Sequence, residues 1–331
     1  MSMTRDAGRS LAGIAVFVAA MALLPGLIAS EFWLTFMILA LYTASLGQAW
    51  NVLGGFGGQY SFGHAMFFGV GAYAGAVLQV RWGINPWFTL GAALVLGAAT
   101  GAAVGALSFR YGLKGSYFAL VTLAFAEVFR VLANTFEFTG AGVGMMIKLS
   151  PGAGNFQFPA KAGFYYTILA IAAAGLVVAW WLKHSRFGAW LMAVRENEDA
   201  ARALGVDVFR VKLGAITLSG AMMATGGVFY VQMFQYIDPV LAFGSGISVE
   251  ALLVAIVGGM GSIFGPLIGA FTLALVNHGT TELIGKAPAL SMALYGLLLV
   301  VMVTFLPNGL VGGLASLARW IRTRGKGKPH D

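Results

Sequence analysis

The stretch "GGQYSFGHAMFFGVGAYAGAV", residues 57–77, combines the apolar character of a membrane segment with six glycines, a glutamine, a serine and a histidine. Glycine weakens a helix interior because it leaves the backbone with too much freedom. Helices in lipid gain little from apolar contact with each other, whereas small residues let their backbones approach closely. The stretch therefore predicts a membrane helix packed tightly against neighbouring helices.

The segment just before it, "GGFGG" at 54–58, places four glycines within five residues and predicts a break in the helix. Broken backbone at membrane depth survives only where protein buries it or where it lines a wet cavity. Two interpretations stay open for Gln59, Ser61 and His64: they line such a cavity, or they cap a cytoplasmic turn.

The overall composition predicts an all-α, polytopic membrane protein. Of 331 residues, 59% are hydrophobic and only 10% are charged, against about 25% charged residues in a typical soluble domain. Apolar runs of about 20 residues recur along the chain, as membrane-spanning helices require. The absence of cysteine excludes disulfides and thiolate chemistry. We expect one membrane domain over residues 1–318 and a basic cytoplasmic tail at 319–331.

The apolar runs predict about ten spanning helices, the first of them uncleaved. The short ninth segment ends in "GGMGSIFGP", so the count could be nine or eleven. Fifteen of the 20 lysines and arginines fall on segments that lie inside if both termini are cytoplasmic. The predicted helices lie at about 11–29, 33–53, 60–80, 87–109, 114–135, 164–182, 212–236, 247–260, 264–283 and 288–306.

The cytoplasmic loop at 183–212 is the only stretch dense in both signs of charge. Within it, "ENEDAARALG" predicts a short helix that stops at Gly205. Two acid–base spacings of four residues predict helical ion pairs, Glu198 with Arg202 and Arg195 with Asp199. An ordinary connecting loop is the alternative.

Small residues repeat along one face of the fourth predicted helix, at Gly97, Gly101 and Gly105. The later pair Gly265 and Gly269 has the same spacing. Both patterns predict close packing of helix backbones.

Catalytic and metal-binding signatures are missing from the sequence. The nearest approach to a phosphate loop, "GTTELIGKA" at 279–287, has the wrong glycine spacing and ends in Ala287 where Ser or Thr is required. Glu127 is followed three residues later by Arg130, which predicts a helix-end ion pair rather than a proton relay. We therefore expect a transporter or channel with no catalytic residue, metal or cofactor on this chain; an ion-coupled carrier or a channel working without an ATPase stays open.

Four motifs carry a resemblance to a known family. They are "GGFGGQYSFGHAMFFGVGAYAGAV", "LKGSYFALVTLAFAEVFRVL", "SRFGAWLMAVRENEDAARALGVDVFRVKL" and "SVEALLVAIVGGMGSIFGPLIGA". In this order, over about residues 35–310, the chain resembles the M-type permease subunit of branched-chain amino-acid ABC importers.

The resemblance implies a multi-pass protein of the bacterial inner membrane that imports branched-chain amino acids or a related small polar solute. It implies as partners a second permease, two cytoplasmic ATPases that hold ATP and Mg²⁺, and a periplasmic binding protein; no nucleic acid is involved. The coupling residues implied on the cytoplasmic loop are Glu196, Glu198, Asp199, Ala200, Ala201, Arg202 and Gly205. The pathway residues implied are Gln59, Ser61, His64, Ser116, Tyr117, Thr122 and Glu127.

One departure from the family pattern lies in the external loop "FTGAGVGMMIKL", where Ala141 stands in place of the usual second glycine. The binding protein would meet this loop, and members of the family differ in cargo. Urea, other amides and aromatic acids therefore stay open as substrates.

Overall fold

The computed structural model describes residues 2–28 and 30–284, together with scattered residues between 290 and 313. The described chain is mostly helical. Most of the predicted helix at 288–306 and the whole tail at 319–331 lie outside the described residues. The helices are α1 Ser2–Leu27, α2 Glu31–Trp50, α3 His64–Trp82, α4 Pro86–Arg110, α5 Gly115–Thr135, α6 Lys161–His184, α7 Arg186–Glu196, α8 Glu198–Ala203, α9 Val208–Phe234, α10 Pro239–Phe243, α11 Ser245–Gly258 and α12 Gly265–Ile284.

Within the described residues, seven helical segments are long and apolar enough to cross a membrane. Helices α3 and α12 are not among them, and the composition of α3 is too weakly apolar. Thirteen of the 19 residues of α3 are buried inside the chain, so protein surrounds most of this helix. The multi-pass architecture is confirmed, whereas the count of ten spans and the side of each terminus stay predictions. The seven segments are Ala7–Leu27, Glu31–Phe56, Pro86–Arg110, Gly115–Thr135, Lys161–His184, Val208–Phe234 and Pro239–Gly258.

Local sequence explains where α3 ends and α4 begins. Gly83 ends α3 in the left-handed conformation with φ +66°, which glycine adopts at little steric cost. Two residues later, Asn85 caps α4 by accepting the Trp87 amide at 3.0 Å, and Pro86 occupies the first helical position. The two helices therefore form a tight antiparallel hairpin.

The centre of the bundle is α9, which packs against α2, α3 and α4. The predicted glycine stripe on α4 faces it: a Cβ on Gly101 would lie 2.6 Å from the Ile216 carbonyl oxygen. On α3, a Cβ on Gly71 would clash with the backbone of Ala224. The close packing predicted from the glycines is therefore confirmed, because α9 fills the space where side chains would otherwise stand.

The helix break predicted at 54–58 lies at the end of that segment. Helix α2 continues as a π-helix, Asn51–Phe56, and the helical conformation stops at Gly57 and Gly58, the latter with φ +65°. A Cβ on Gly55 would crowd the Gly261 amide, 2.6 Å away. Gly55 therefore leaves room for the backbone of Gly261 and does not itself end the helix.

The loop 136–160, predicted to be external, contains short 3₁₀ turns and one strand. Strand β1, Met145–Met146, pairs antiparallel with β2, Tyr236–Ile237, directly after α9. The Gly140 φ is +81° and the Ala141 φ is +47°, so the alanine occupies the left-handed region. This pairing attaches the loop 136–160 to the end of the central helix of the bundle.

Candidate docking and translocation sites

The charged loop 183–212 folds into two short helices, α7 and α8, which we call the docking unit. Ser185 caps α7 by accepting the Gly188 amide at 3.1 Å. Asn197 separates the two helices, and its Oδ1 accepts the amides of Asp199 and Ala200, each at 3.0 Å. Gly205 ends the unit with φ +85°, as predicted. The cap at Asn197 was not predicted, although an asparagine just before two acidic residues signals a helix start.

Both predicted ion pairs of this segment are wrong. Asp199 pairs with Arg202 at 3.4 Å, and Glu198 pairs with Lys212 on α9. The Lys212 side chain is only 4% exposed and lies over the Phe109 ring, 5.4 Å from its centroid. Glu198 therefore ties α8 to the central helix, because a buried lysine needs a close counter-charge.

The alanines of α8 divide between an inner and an outer face. Ala201 is 2% exposed and packs into the core, so its side chain is covered by its own chain. Ala200 and Ala203 are exposed, and Leu204 beyond them is 84% exposed. The exposed surface of α8 therefore carries small side chains at the two alanines and an apolar side chain at Leu204.

A cavity of about 360 Å³ adjoins the docking unit. Gln59 lines it together with implied coupling residues of the loop, and the Gln59 side chain bonds to the Gly57 carbonyl at 3.3 Å. Gln59 thus lies in the turn after α2, on the cytoplasmic side if the docking unit is cytoplasmic. The residues of the loop that line this cavity are Val194, Arg195, Glu196, Asn197, Glu198 and Asp199.

Ser61 and His64 are fully buried and hold the start of α3 in place. The Ser61 hydroxyl accepts the Gly63 amide at 3.2 Å. Ser219 donates its single hydroxyl hydrogen to the Ala49 carbonyl at 2.7 Å, so it accepts from His64 Nε2 at 2.8 Å. These contacts connect α2, α3 and α9, which favours the turn-capping interpretation for this pair of residues.

The four implied pathway residues on α5 separate into two groups. Thr122 is buried, donates to the Ala119 carbonyl at 2.9 Å and packs its backbone against Gly63. Ser116, Tyr117 and Glu127 are exposed on the described chain. The seven implied pathway residues therefore do not form one group.

The predicted ion pair of Glu127 with Arg130 is confirmed, with Arg130 Nε 2.8 Å from Glu127 Oε2. Its predicted place at a helix end is wrong, because Glu127 is the thirteenth of the 21 residues of α5. Eleven residues separate Ser116 from Glu127, about three helical turns, so the two share one exposed face.

The architecture is that of a multi-pass membrane protein. The family model described as "Branched-chain amino acid transport system / permease component" matches residues 28–303, and the chain belongs to this family. The resemblance seen in the sequence is thus confirmed, as is a multi-pass location in the membrane.

The names of individual relatives refer to different transported substrates. The chain is 30% identical over 290 residues to the high-affinity branched-chain amino acid transport system permease protein LivM of Escherichia coli K12, covering 80% of this chain and 67% of that relative. It is 25% identical over 213 residues to the ribose import permease protein RbsC of the same strain, covering 63% and 65% of the two chains. A solved inward-facing ABC transporter described as of metal-chelate type aligns with a TM-score of 0.48 and 18% identity, over 91% of this chain and 98% of that one.

Proposed function

We propose that this chain is a transmembrane subunit of an ATP-driven importer for branched-chain amino acids or a related small polar solute. The observation that carries the proposal is the docking unit: a separately capped helix pair outside the membrane bundle, with an exposed apolar tip at Leu204. A carrier or channel that works without an ATPase has no need of such a surface. Family membership and the similarity to LivM support the choice of cargo class.

The proposed assembly contains a second homologous permease, two cytoplasmic ATPases that bind ATP and Mg²⁺, and a periplasmic substrate-binding protein. Residues 1–318 form one permease domain in the bacterial inner membrane, with ten spans, both termini inside, and the loop 183–212 as the ATPase contact. This chain itself then carries out no chemistry, since hydrolysis belongs to the partner ATPases.

The exposed face of α5 supports a translocation surface shared with the second permease. Ser116 and Glu127 lie on this face, and Arg130 pairs with Glu127 near the middle of the helix. Charged side chains within membrane helices face protein or a water-filled cavity rather than lipid. We therefore assign this face to the pathway between the two permeases, where the polar solute would pass.

Replacing Leu204 with Asp tests the docking surface in the full complex reconstituted in vesicles. Burying a leucine contributes about 2 kcal/mol, so its loss should weaken ATPase association about thirtyfold. The readouts are co-purification of the ATPases and ATP-dependent uptake of labelled leucine, both of which should fall sharply. Adding unlabelled isoleucine, ribose, urea or benzoate as competitor then identifies the cargo class.

Leu149→Asp is the matched control, because Leu149 is 65% exposed but lies in the external loop. It should leave ATPase association unchanged. Uptake by the permease without any ATPase, or normal association of the Leu204→Asp variant, would contradict the importer proposal.

A further inference from the structure

One arginine connects the docking unit to the membrane bundle. Arg195 lies in the last turn of α7, and its Nη1 donates to the Gly55 carbonyl at 2.5 Å. Gly55 belongs to the π-helical end of α2, where the last carbonyls have no donor within the helix. The Arg195 guanidinium on the charged loop therefore donates to a carbonyl at the end of membrane helix α2.

The same π-helical end is attached to the turn between α11 and α12. The buried Asn51 accepts the Gly261 amide at 2.8 Å and donates to the Ser262 carbonyl at 3.1 Å. These two bonds satisfy both ends of the Asn51 amide group. The end of α2 is thus bonded directly to the turn between a second pair of helices.

Two glycines form the slot in which the arginine lies. A Cβ on Gly58 would be 2.7 Å from Arg195 Cγ, and a Cβ on Gly261 would be 2.9 Å from Arg195 Nη1. Both glycines have positive φ, +65° and +72°. Any other residue at either position would be strained and would push the arginine out, so the turn after α2 and the α11–α12 turn are both shaped to receive it.

We propose that Arg195 is a positioning residue that passes movement of the docking unit to α2 and to the α11–α12 turn. The inference rests on the proposed function and names the point at which ATPase motion enters the membrane helices. Asn197, the cap of α8, follows only two residues later, so a displacement of α8 acts directly on the arginine. A π-helix at this point provides a segment that can change its hydrogen-bonding register, and such segments are frequent at functional sites.

Arginine is suited to this role in a way that lysine is not. Its rigid fork presents several donors in one plane, so it can hold a carbonyl while its edge contacts a second turn. Lysine provides a single flexible ammonium group. We therefore expect Arg195→Lys to retain part of the coupling and Arg195→Ala to retain little of it.

The test uses the complete complex with both permeases, both ATPases and the binding protein loaded with leucine. Arg195→Ala should assemble at normal abundance, because the exposed apolar tip at Leu204 is left intact. Stimulation of hydrolysis by loaded binding protein should fall about tenfold or more, as expected for the loss of one charged hydrogen bond. Arg110→Ala is the control, because Arg110 lies exposed at the end of α4, outside the docking unit, and it should behave as the wild type.

A second readout detects the movement itself. Because the natural chain has no cysteine, Ser262→Cys introduces a single thiol at the α11–α12 turn. Its labelling rate by a water-soluble maleimide should change on ATP binding in the wild-type background and stay constant with Arg195→Ala. A residue that served stability alone would not abolish this change at equal complex abundance.

Wild-type stimulation together with an ATP-dependent labelling change in Arg195→Ala would overturn the inference. If Arg195→Ala does not accumulate, Arg195→Lys is measured in its place. Wild-type stimulation of ATP hydrolysis by loaded binding protein in Arg195→Lys would also overturn the inference. A wild-type complex that neither hydrolyses ATP on addition of loaded binding protein nor takes up solute would refute the proposed function itself.

Discussion

Ala141 adopts a left-handed backbone conformation, with φ +47°, in the external loop that the importer model assigns to the binding protein. Its Cβ makes this conformation costly by about 1 kcal/mol, which glycine avoids. The family departure noted in the sequence therefore coincides with a strained position. The pairing of β1 with β2 and the 3₁₀ turns around it hold the alanine there.

Ala141→Gly should raise the free energy of unfolding by up to about 1 kcal/mol net, because the relief of about 1–2 kcal/mol of left-handed strain exceeds the cost of about 0.4–1 kcal/mol from the freer unfolded chain. Thermal denaturation of the purified protein in detergent measures the shift. Ala160→Gly is the control in the same loop, since Ala160 has an ordinary φ of −106°. That variant should lose stability by about 0.4–1 kcal/mol through greater freedom of the unfolded chain. A loss of stability in both variants would show that Ala141 is not strained.

The contact of α4 with α9 depends on residues that have no side chain. Gly97 faces the Gly220 carbonyl, and Gly101 faces that of Ile216, in both cases closer than a Cβ could be accommodated. Close backbone approach supplies the packing that apolar burial cannot supply between helices in lipid. Helix α3 uses the same device through Gly71, which explains why a weakly apolar segment lies inside the bundle.

Gly101→Leu should force α4 away from α9 and lower stability by about 1–3 kcal/mol, the usual cost of overpacking. The expected signs are a lower melting temperature or a failure to accumulate in the membrane. Gly91→Leu is the control on the same helix, because nothing lies within 4 Å of a Cβ at that position. Equal stability of the two variants would mean that the α4–α9 contact tolerates a side chain.

Positions along the bundle agree with a simple in-and-out topology. The docking unit follows α6 directly and precedes α9, while the β1–β2 pair lies at the opposite end of α9. The charged unit and the external loop therefore occupy opposite faces of the membrane domain. With the bias of basic residues, this arrangement supports cytoplasmic placement of the docking unit.

Reporter fusions after Lys212 and after Arg324 should both report the cytoplasm, whereas a fusion after Lys148 should report the external side. Alkaline phosphatase and a fluorescent protein give complementary signals for the two sides. An external signal after Lys212 or Arg324 would contradict the proposed topology of ten spans with both termini inside.

Local features were readable from the sequence because their causes are local. Apolar runs of membrane length, the left-handed stop at Gly205, the glycine stripe on α4 and the pairing of Glu127 with Arg130 depend on neighbours within a few residues. The loop 183–212 could be singled out by its charge alone.

The tertiary structure decided what depends on distant parts of the chain. The Glu198 partner is Lys212 on α9 rather than Arg202, because the buried lysine needs a counter-charge that a solvent-exposed arginine does not. Arg195 bonds to a carbonyl 140 residues away, and Ala201 is covered by its own bundle. Spacing along one helix cannot show such contacts, since they form only when separate helices pack and the unpaired groups of one find partners on another.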